Sequence, residues 1–311
     1  MAKEGILAKA CHAVGLPSEW RTKGKGLDWR TLIQVSRPGW WLVHVWLYLA
    51  PTGQQYHLLT TLRFWAALFF ALFPLNLLVY GVNDCTDVEL DAQNSRKGNF
   101  IYGAKCTPDQ IRELPKAIAS INIFGILLLA VLSGHYLRLF VWLAVCALMN
   151  IMYNVEPMRL SSKGPFELPL VVVGFSGVTI LASLINDIPM APFRYWVHMT
   201  CLVLRTQLWT ELMDHDEDAK CNRRTTSILL GKPLSKVATL LALSSEAAVT
   251  FIFFDDWLMR FFSLSGIAAF GMLEIAGGGA DDKDKMKAMK AHFPLGMTLV
   301  FWIWYKGLFA P

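Results

Sequence analysis

Apolar residues along this chain gather into long blocks separated by short polar connections. Nine blocks can be marked, at 39–51, 62–82, 115–133, 137–153, 166–185, 194–212, 237–254, 257–277 and 292–309. Most approach the roughly 20 residues that an α-helix needs to cross a bilayer. An outer-membrane barrel would show segments of about 10 residues with strict alternation, and no such pattern is present. The blocks predict an all-α, polytopic membrane protein with nine transmembrane helices. Pro74 and the glycines within blocks fit this reading, because neighbouring helices can satisfy the backbone groups that such residues free.

Composition agrees with the pattern. Of 311 residues, 54% are hydrophobic and only 17% charged, against about 25% charged in an ordinary soluble domain. The six cysteines are scattered and form no CxxC pair, so neither a disulfide framework nor a zinc site is expected. The N-terminus lacks the apolar core of a cleavable secretory signal. Residues 1–36 are rich in Lys and Arg and read as a basic arm beside a membrane surface. Residues 37–311 form the transmembrane domain. The net charge of +5 is modest, and no nucleic-acid partner is expected.

The distribution of charge says more than its sum. Threading the chain through nine spans places 23 Lys and Arg on one side and five on the other, with Arg205 inside a span. By the positive-inside rule the rich side, which holds the N-terminus, is cytoplasmic.

Two acidic clusters stand out against this background. The first is Asn83, Asp84, Asp87 and Asp91, where helical spacing puts the oxygens on one face. Asn76 and Tyr80 extend that face into the membrane. The second is Glu211, Asp214 and Asp218, at i, i+3 and i+7, with Gln207 extending it inwards; Asp216 and Glu217 are expected to point elsewhere. Four spans separate the clusters, so both lie on the basic side. Two carboxylate faces at one place repel unless a cation joins them, and hard oxygen ligands suit Mg²⁺. With the nearby Arg and Lys residues, the arrangement suits a metal-bridged diphosphate. Arg205, His44, Asn150 and Glu246 are polar groups within apolar blocks. His44 and Asn150 read as helix–helix hydrogen-bonding residues, and Arg205 requires a cavity or a partner.

The chain resembles the UbiA superfamily of intramembrane prenyltransferases. Its NDxxDxxxD motif is present in full as Asn83, Asp84, Asp87 and Asp91. Its second motif, DxxDxxxD, is matched by Glu211, Asp214 and Asp218, with Glu in the first place. Ser36-Arg37-Pro38, Tyr153-x-x-x-Pro157-x-Arg159, Arg224-Thr225-Thr226 and Leu230-Gly231 extend the likeness over roughly residues 30–310. Where aromatic-acceptor members carry a stretch like NRPLxxG, this chain has Asn94-Ser95-Arg96-Lys97-Gly98-Asn99, which looks more like the lycopene-elongase-type branch.

The resemblance implies nine helices around a central cavity, capped by Asp-bearing loops on the cytoplasmic side. It implies Mg²⁺-dependent transfer of a prenyl group from an isoprenyl diphosphate to a lipophilic acceptor within the bilayer. Asn83, Asp84, Asp87, Asp91, Glu211, Asp214 and Asp218 are then the metal-binding candidates, with the five aspartates catalytic. Arg37, Arg96, Arg159, Lys163 and Lys220 are the diphosphate candidates, with Arg223 and Arg224 behind them. Two other functions are weighed: terpene cyclisation without an acceptor, which uses the same motifs and which the sequence does not separate from transfer, and membrane transport. Transport would place acids deep in spans on both sides of the midplane.

Overall fold

The computed structural model describes residues 26–88, 91, 97–276 and 282–311, with side chains for all of these except 276 and 282–293. Among the described residues the fold is helical, with two isolated β-bridges and no strand. The helices are α1 (Trp29–Val35), α2 (Trp41–Leu49), α3 (Leu62–Leu72), α4 (Pro74–Thr86), α5 (Pro108–Ser133), α6 (Tyr136–Asn154), α7 (Glu167–Asn186), α8 (Phe193–Lys220), α9 (Thr226–Phe253), α10 (Trp257–Phe270) and α11 (Asp282–Lys306).

Local chemistry accounts for several helix ends. Asp28 caps α1 by accepting from the Thr31 N–H at 2.7 Å. Thr107 and Gln110 form a reciprocal capping box ahead of α5, with Pro108 in its first turn. Pro74 separates α3 from α4. Asn76 Nδ2 takes up the carbonyls of Ala71 and Leu72 at 3.0 and 2.9 Å, so the bend leaves little unsatisfied. Asn76 is thereby a structural residue, fully buried. Its amide also lies 2.7 Å from His44 Nδ1, and that nitrogen is 2.8 Å from Ala71 O. Asn150 donates across to Leu78 O at 2.7 Å. His44 and Asn150 thus join helices, as the sequence predicts.

The helices reach beyond the apolar blocks. α5 begins before residue 115, α8 continues past 212 and α9 starts before 237. Hydrophobicity marks only the lipid-immersed part of a helix, whereas hydrogen bonding carries it on into the interface. Six stretches are long and apolar enough to cross a membrane: Leu62–Thr86, Pro108–Ser133, Tyr136–Asn154, Glu167–Asn186, Thr226–Phe253 and Trp257–Ile275. The other three expected spans do not meet that measure among the described residues: α2 has nine residues, and α8 carries polar residues along its length. Phe124 and Val131 on α5, Leu137 and Leu148 on α6, and Leu241 and Ile252 on α9 are exposed, as a lipid-facing surface requires.

Inside, α8 packs along α9, α4 along α5, and α7 against both α2 and α6. Leu32 and Val35 of α1 are buried in the same core. The packed unit therefore begins within the stretch expected to be an arm; residues 1–25 lie outside the described residues. Away from the acidic motifs, Asp187 ties the end of α7 to the start of α3, accepting from Arg63 at 2.7 Å, and to the α5–α6 connection, lying 2.5 Å from His135 Nε2. A central cavity of about 510 Å³ remains, walled by residues of α2, α4, α6, α7, α8, α10 and α11.

Candidate active site

The first acidic motif closes α4. Asn83 and Asp84 occupy its last turn and Asp87 its C-cap; the Asp91 N–H then donates to Asp87 O at 2.8 Å. The second motif rides the last turns of α8. The first motif straddles the end of α4, with Asn83 and Asp84 inside it and Asp87 and Asp91 in the connection that follows. The second motif lies within the last turns of α8, where the resemblance implies a loop, and there helix geometry holds the spacing.

The two motifs meet. Asn83, Asp87, Asp91, Asp214 and Asp218 all line one end of the central cavity. Arg223 joins the motifs directly, with Nη2 3.3 Å from Asp87 Oδ2 and Nη1 3.4 Å from Asp218 Oδ1. Arg159 donates to Asp87 Oδ1 at 2.7 Å. Lys97 Nζ lies 2.6 Å from both Asp84 Oδ1 and Asp91 Oδ2, and Arg37 Nη2 is 3.0 Å from Asp84 Oδ1. Arg37 and Arg159 have left-handed backbones, with φ of 50° and 35°, a conformation unfavourable for a residue with a side chain. The Arg37 guanidinium also stands 4.5 Å over the Tyr80 ring.

Burial sets the electrostatics. It pushes the Asp91 carboxyl up to about 6, against the pull of Lys97. It pushes Asp218 up to about 6 as well, with Arg223 opposing. Arg223 loses hydration on burial, but Asp87 and Asp218 outweigh that and raise its pKa. The acids and bases thus hold one another in a charged cluster at the mouth of an apolar space.

The donor set fits Mg²⁺ in chemistry: carboxylate and amide oxygens, with Asp84 Oδ2 buried and without a hydrogen-bond partner among the described residues. No three acidic, His or Cys side chains among the described residues are gathered for direct ligation. Lys97 and Arg223 stand between the carboxylates instead.

Some expected residues are placed elsewhere. Glu211 is buried and does not line the cavity. Its oxygens accept from Gln207 Nε2 at 2.8 Å and from the Ser227 N–H at 3.2 Å, at the start of α9. Lys163 donates to Pro157 O at 2.6 Å and is exposed. Lys220 is exposed in the last turn of α8. Arg96 lies outside the described residues. Glu217, expected to point away, lines the cavity with Thr210, Met213 and Asp214, because the inward stripe of α8 is broader than the motif spacing suggests. Asp216 does face away, to Lys232 at 2.7 Å.

Two contributors escaped the sequence reading. Asn154 accepts from Asn83 Nδ2 at 3.0 Å and donates to Asn150 Oδ1 at 2.6 Å, anchoring the first motif to α6. Glu167 accepts from the Thr226 N–H at 2.8 Å and the Thr226 hydroxyl at 2.5 Å, holding the start of α9. The only signal for either was a polar residue at the end of an apolar block.

Comparison with known proteins agrees with this geometry. The model of the UbiA prenyltransferase family matches residues 40–303. A lycopene elongase/hydratase of Corynebacterium glutamicum is 23% identical over 239 residues, covering 74% of this chain and 80% of the relative. The solved structure of a UbiA homolog from Archaeoglobus fulgidus bound to DMAPP and Mg²⁺ superposes with a TM-score of 0.60 at 12% identity, over 88% of this chain and 98% of that one. The same homolog bound to GPP and Mg²⁺ gives 0.58 at 12% identity, over 88% and 99%. At that identity the likeness is one of fold. The family match covers most of the chain, and the chain accordingly belongs to the UbiA prenyltransferase family as an integral membrane enzyme.

Proposed function

We propose that the enzyme transfers a prenyl group from an isoprenyl diphosphate to a lipophilic acceptor drawn from the bilayer. The observation that carries this is the meeting of two acidic motifs and four basic side chains at one end of an apolar cavity of about 510 Å³. Asn83, Asp84, Asp87, Asp91, Asp214 and Asp218 would hold Mg²⁺, which when bound supplies electrophilic stabilisation of the leaving diphosphate. Glu211 is better suited to holding the start of α9 than to metal binding. Arg37, Lys97, Arg159 and Arg223 are the bases that would exchange carboxylate partners for diphosphate oxygens; Arg96, Lys163 and Lys220 stay candidates for the same anion by charge alone.

Ionisation breaks the bond between the allylic carbon and the diphosphate oxygen, and the electron pair leaves with the diphosphate. Tyr80, Tyr153 and Phe175 line the cavity; their rings would shield the allylic cation from water and stabilise it by cation–π contact. A carbon–carbon double bond of the acceptor supplies the pair for the new bond, and loss of a proton restores neutrality. The likeness to a lycopene elongase/hydratase supports an isoprenoid acceptor. The excess of basic residues around the motifs supports a cytoplasmic position for this end.

The test is incubation of reconstituted protein with labelled allylic diphosphates of several chain lengths, with and without Mg²⁺ and lipid acceptors, followed by product identification. Mg²⁺-dependent prenylated product is expected, with Asp87→Ala and Asp214→Ala each lowering turnover by about 100-fold or more. A cyclic hydrocarbon formed without acceptor would make the protein a cyclase. Full Mg²⁺-dependent turnover by both variants would overturn the site.

A further inference from the structure

The far part of the cavity holds a polar group that the proposed reaction leaves unused. Arg205 and His198, seven residues apart and so on one face of α8, both line the wall there. With about 1.5 Å of rise per residue, Arg205 lies roughly 13 Å and His198 roughly 24 Å along the helix from Asp214. Glu246 of α9, only 1% exposed, sits between them. Its Oε2 pairs with Arg205 Nε and its Oε1 lies 3.9 Å from His198 Nε2. His198 Nδ1 is buried without a hydrogen-bond partner among the described residues. The surroundings are otherwise apolar and aromatic: Phe262 lies under the guanidinium at 5.9 Å, and Trp46 stands 6.2 Å from the His198 ring.

Charged and polar groups are costly at membrane depth and concentrate where they serve a ligand or one another. A pair that served packing alone would be as well placed away from the cavity. Here Arg205 reaches the wall while Glu246 backs it from behind. The two cancel in charge, so an anion would meet Glu246 and a cation would meet Arg205. A hydroxyl suits both remaining valences, accepting from the guanidinium and donating to His198 Nδ1.

We propose that Arg205 and His198, held by Glu246, form a second polar subsite that binds a hydroxyl group of the acceptor, at the opposite end of the cavity from the diphosphate. This rests on the prenyl-transfer reading and sharpens it, making the cavity polar at both ends. Arg205 is then a specificity-determining residue, and a purely hydrocarbon acceptor is the poorer ligand.

The experiment uses detergent-purified full-length protein with Mg²⁺ and inorganic pyrophosphate at saturation, so that the diphosphate end is filled. Binding of farnesol is compared with that of farnesene, the hydrocarbon of the same skeleton. The wild type is expected to bind the alcohol about tenfold more tightly, the scale of one hydrogen bond to a charged donor. Arg205→Met is expected to abolish that preference and leave pyrophosphate affinity unchanged. The double variant Arg205→Met, Glu246→Leu, which leaves no orphan charge, should do the same if the single variant does not fold. Equal affinity of the wild type for both probes would overturn the subsite, as would a preference that survives in the variants. Failure of pyrophosphate to bind the wild type would instead overturn the prenyl-transfer reading beneath it.

Discussion

Lys97 shows how much of this site depends on single side chains. Its ammonium lies 2.6 Å from two carboxylates and is 3% exposed. It therefore stands where a cation is wanted, and it must move if a metal and its diphosphate are to enter. Removing it leaves Asp84 and Asp91 without that compensation. Lys97→Met is expected to bind Mn²⁺ alone more tightly, and pyrophosphate in the presence of metal more weakly, each by about tenfold, the scale of one charge-assisted contact. Titration followed by electron paramagnetic resonance would show it, and unchanged Mn²⁺ affinity would refute it. Asp91 and Asp218 yield a pH prediction. Both are raised from 3.8 to about 6, so between those values the folded protein holds more protons than the unfolded chain. Stability of the metal-free protein therefore falls as pH rises through that window and levels off above it. Metal binding needs the deprotonated forms and should strengthen over the same range. Thermal melts from pH 4 to 8, with and without Mg²⁺, should diverge above about pH 6.

At the scale of elements, the site depends on two connections held against each other. A bridge joins Lys163 to Arg224, the Gly164 N–H donates to Arg224 O at 2.7 Å, and Glu167 caps the start of α9. Gly164 is required by space. A Cβ there would lie 2.4 Å from Thr226 N, a backbone atom that cannot yield. Gly164→Ala is expected to destabilise the protein by about 1–3 kcal/mol and to lower affinity for pyrophosphate, because Arg223 and Arg159 lie on the connections that part. A melting temperature equal to wild type would contradict this. Gly231 interrupts α9 at φ 71°, a conformation that glycine adopts without the penalty of a side chain. Gly231 lies in a stretch that the sequence singled out, whereas Gly164 does not, and only the contact at Gly164 shows why a small residue is needed there.

For the whole molecule, the surplus of basic residues predicts which way the enzyme faces. Cys221 is exposed beside the second motif, so a membrane-impermeant maleimide should label it from the cytoplasmic side and not from the other. Labelling from the opposite side would reverse the topology and place the diphosphate end away from the cytoplasm.

The apolar blocks, the carboxylate spacing and the count of basic residues were legible from residues alone. Helix formation, membrane immersion and same-sidedness follow from local periodicity and from transfer of side chains between water and lipid. Partners are another matter. That Arg223 joins Asp87 to Asp218, that Glu211 turns back to Ser227, that Glu217 lines the cavity, and that Arg205 finds Glu246 all depend on distances between helices far apart in sequence. Those distances are set by side-chain packing across α4, α6, α8 and α9. Charge and spacing in one dimension identify the acids of the site, whereas only close packing in three decides which of them meet which base, and which face the cavity.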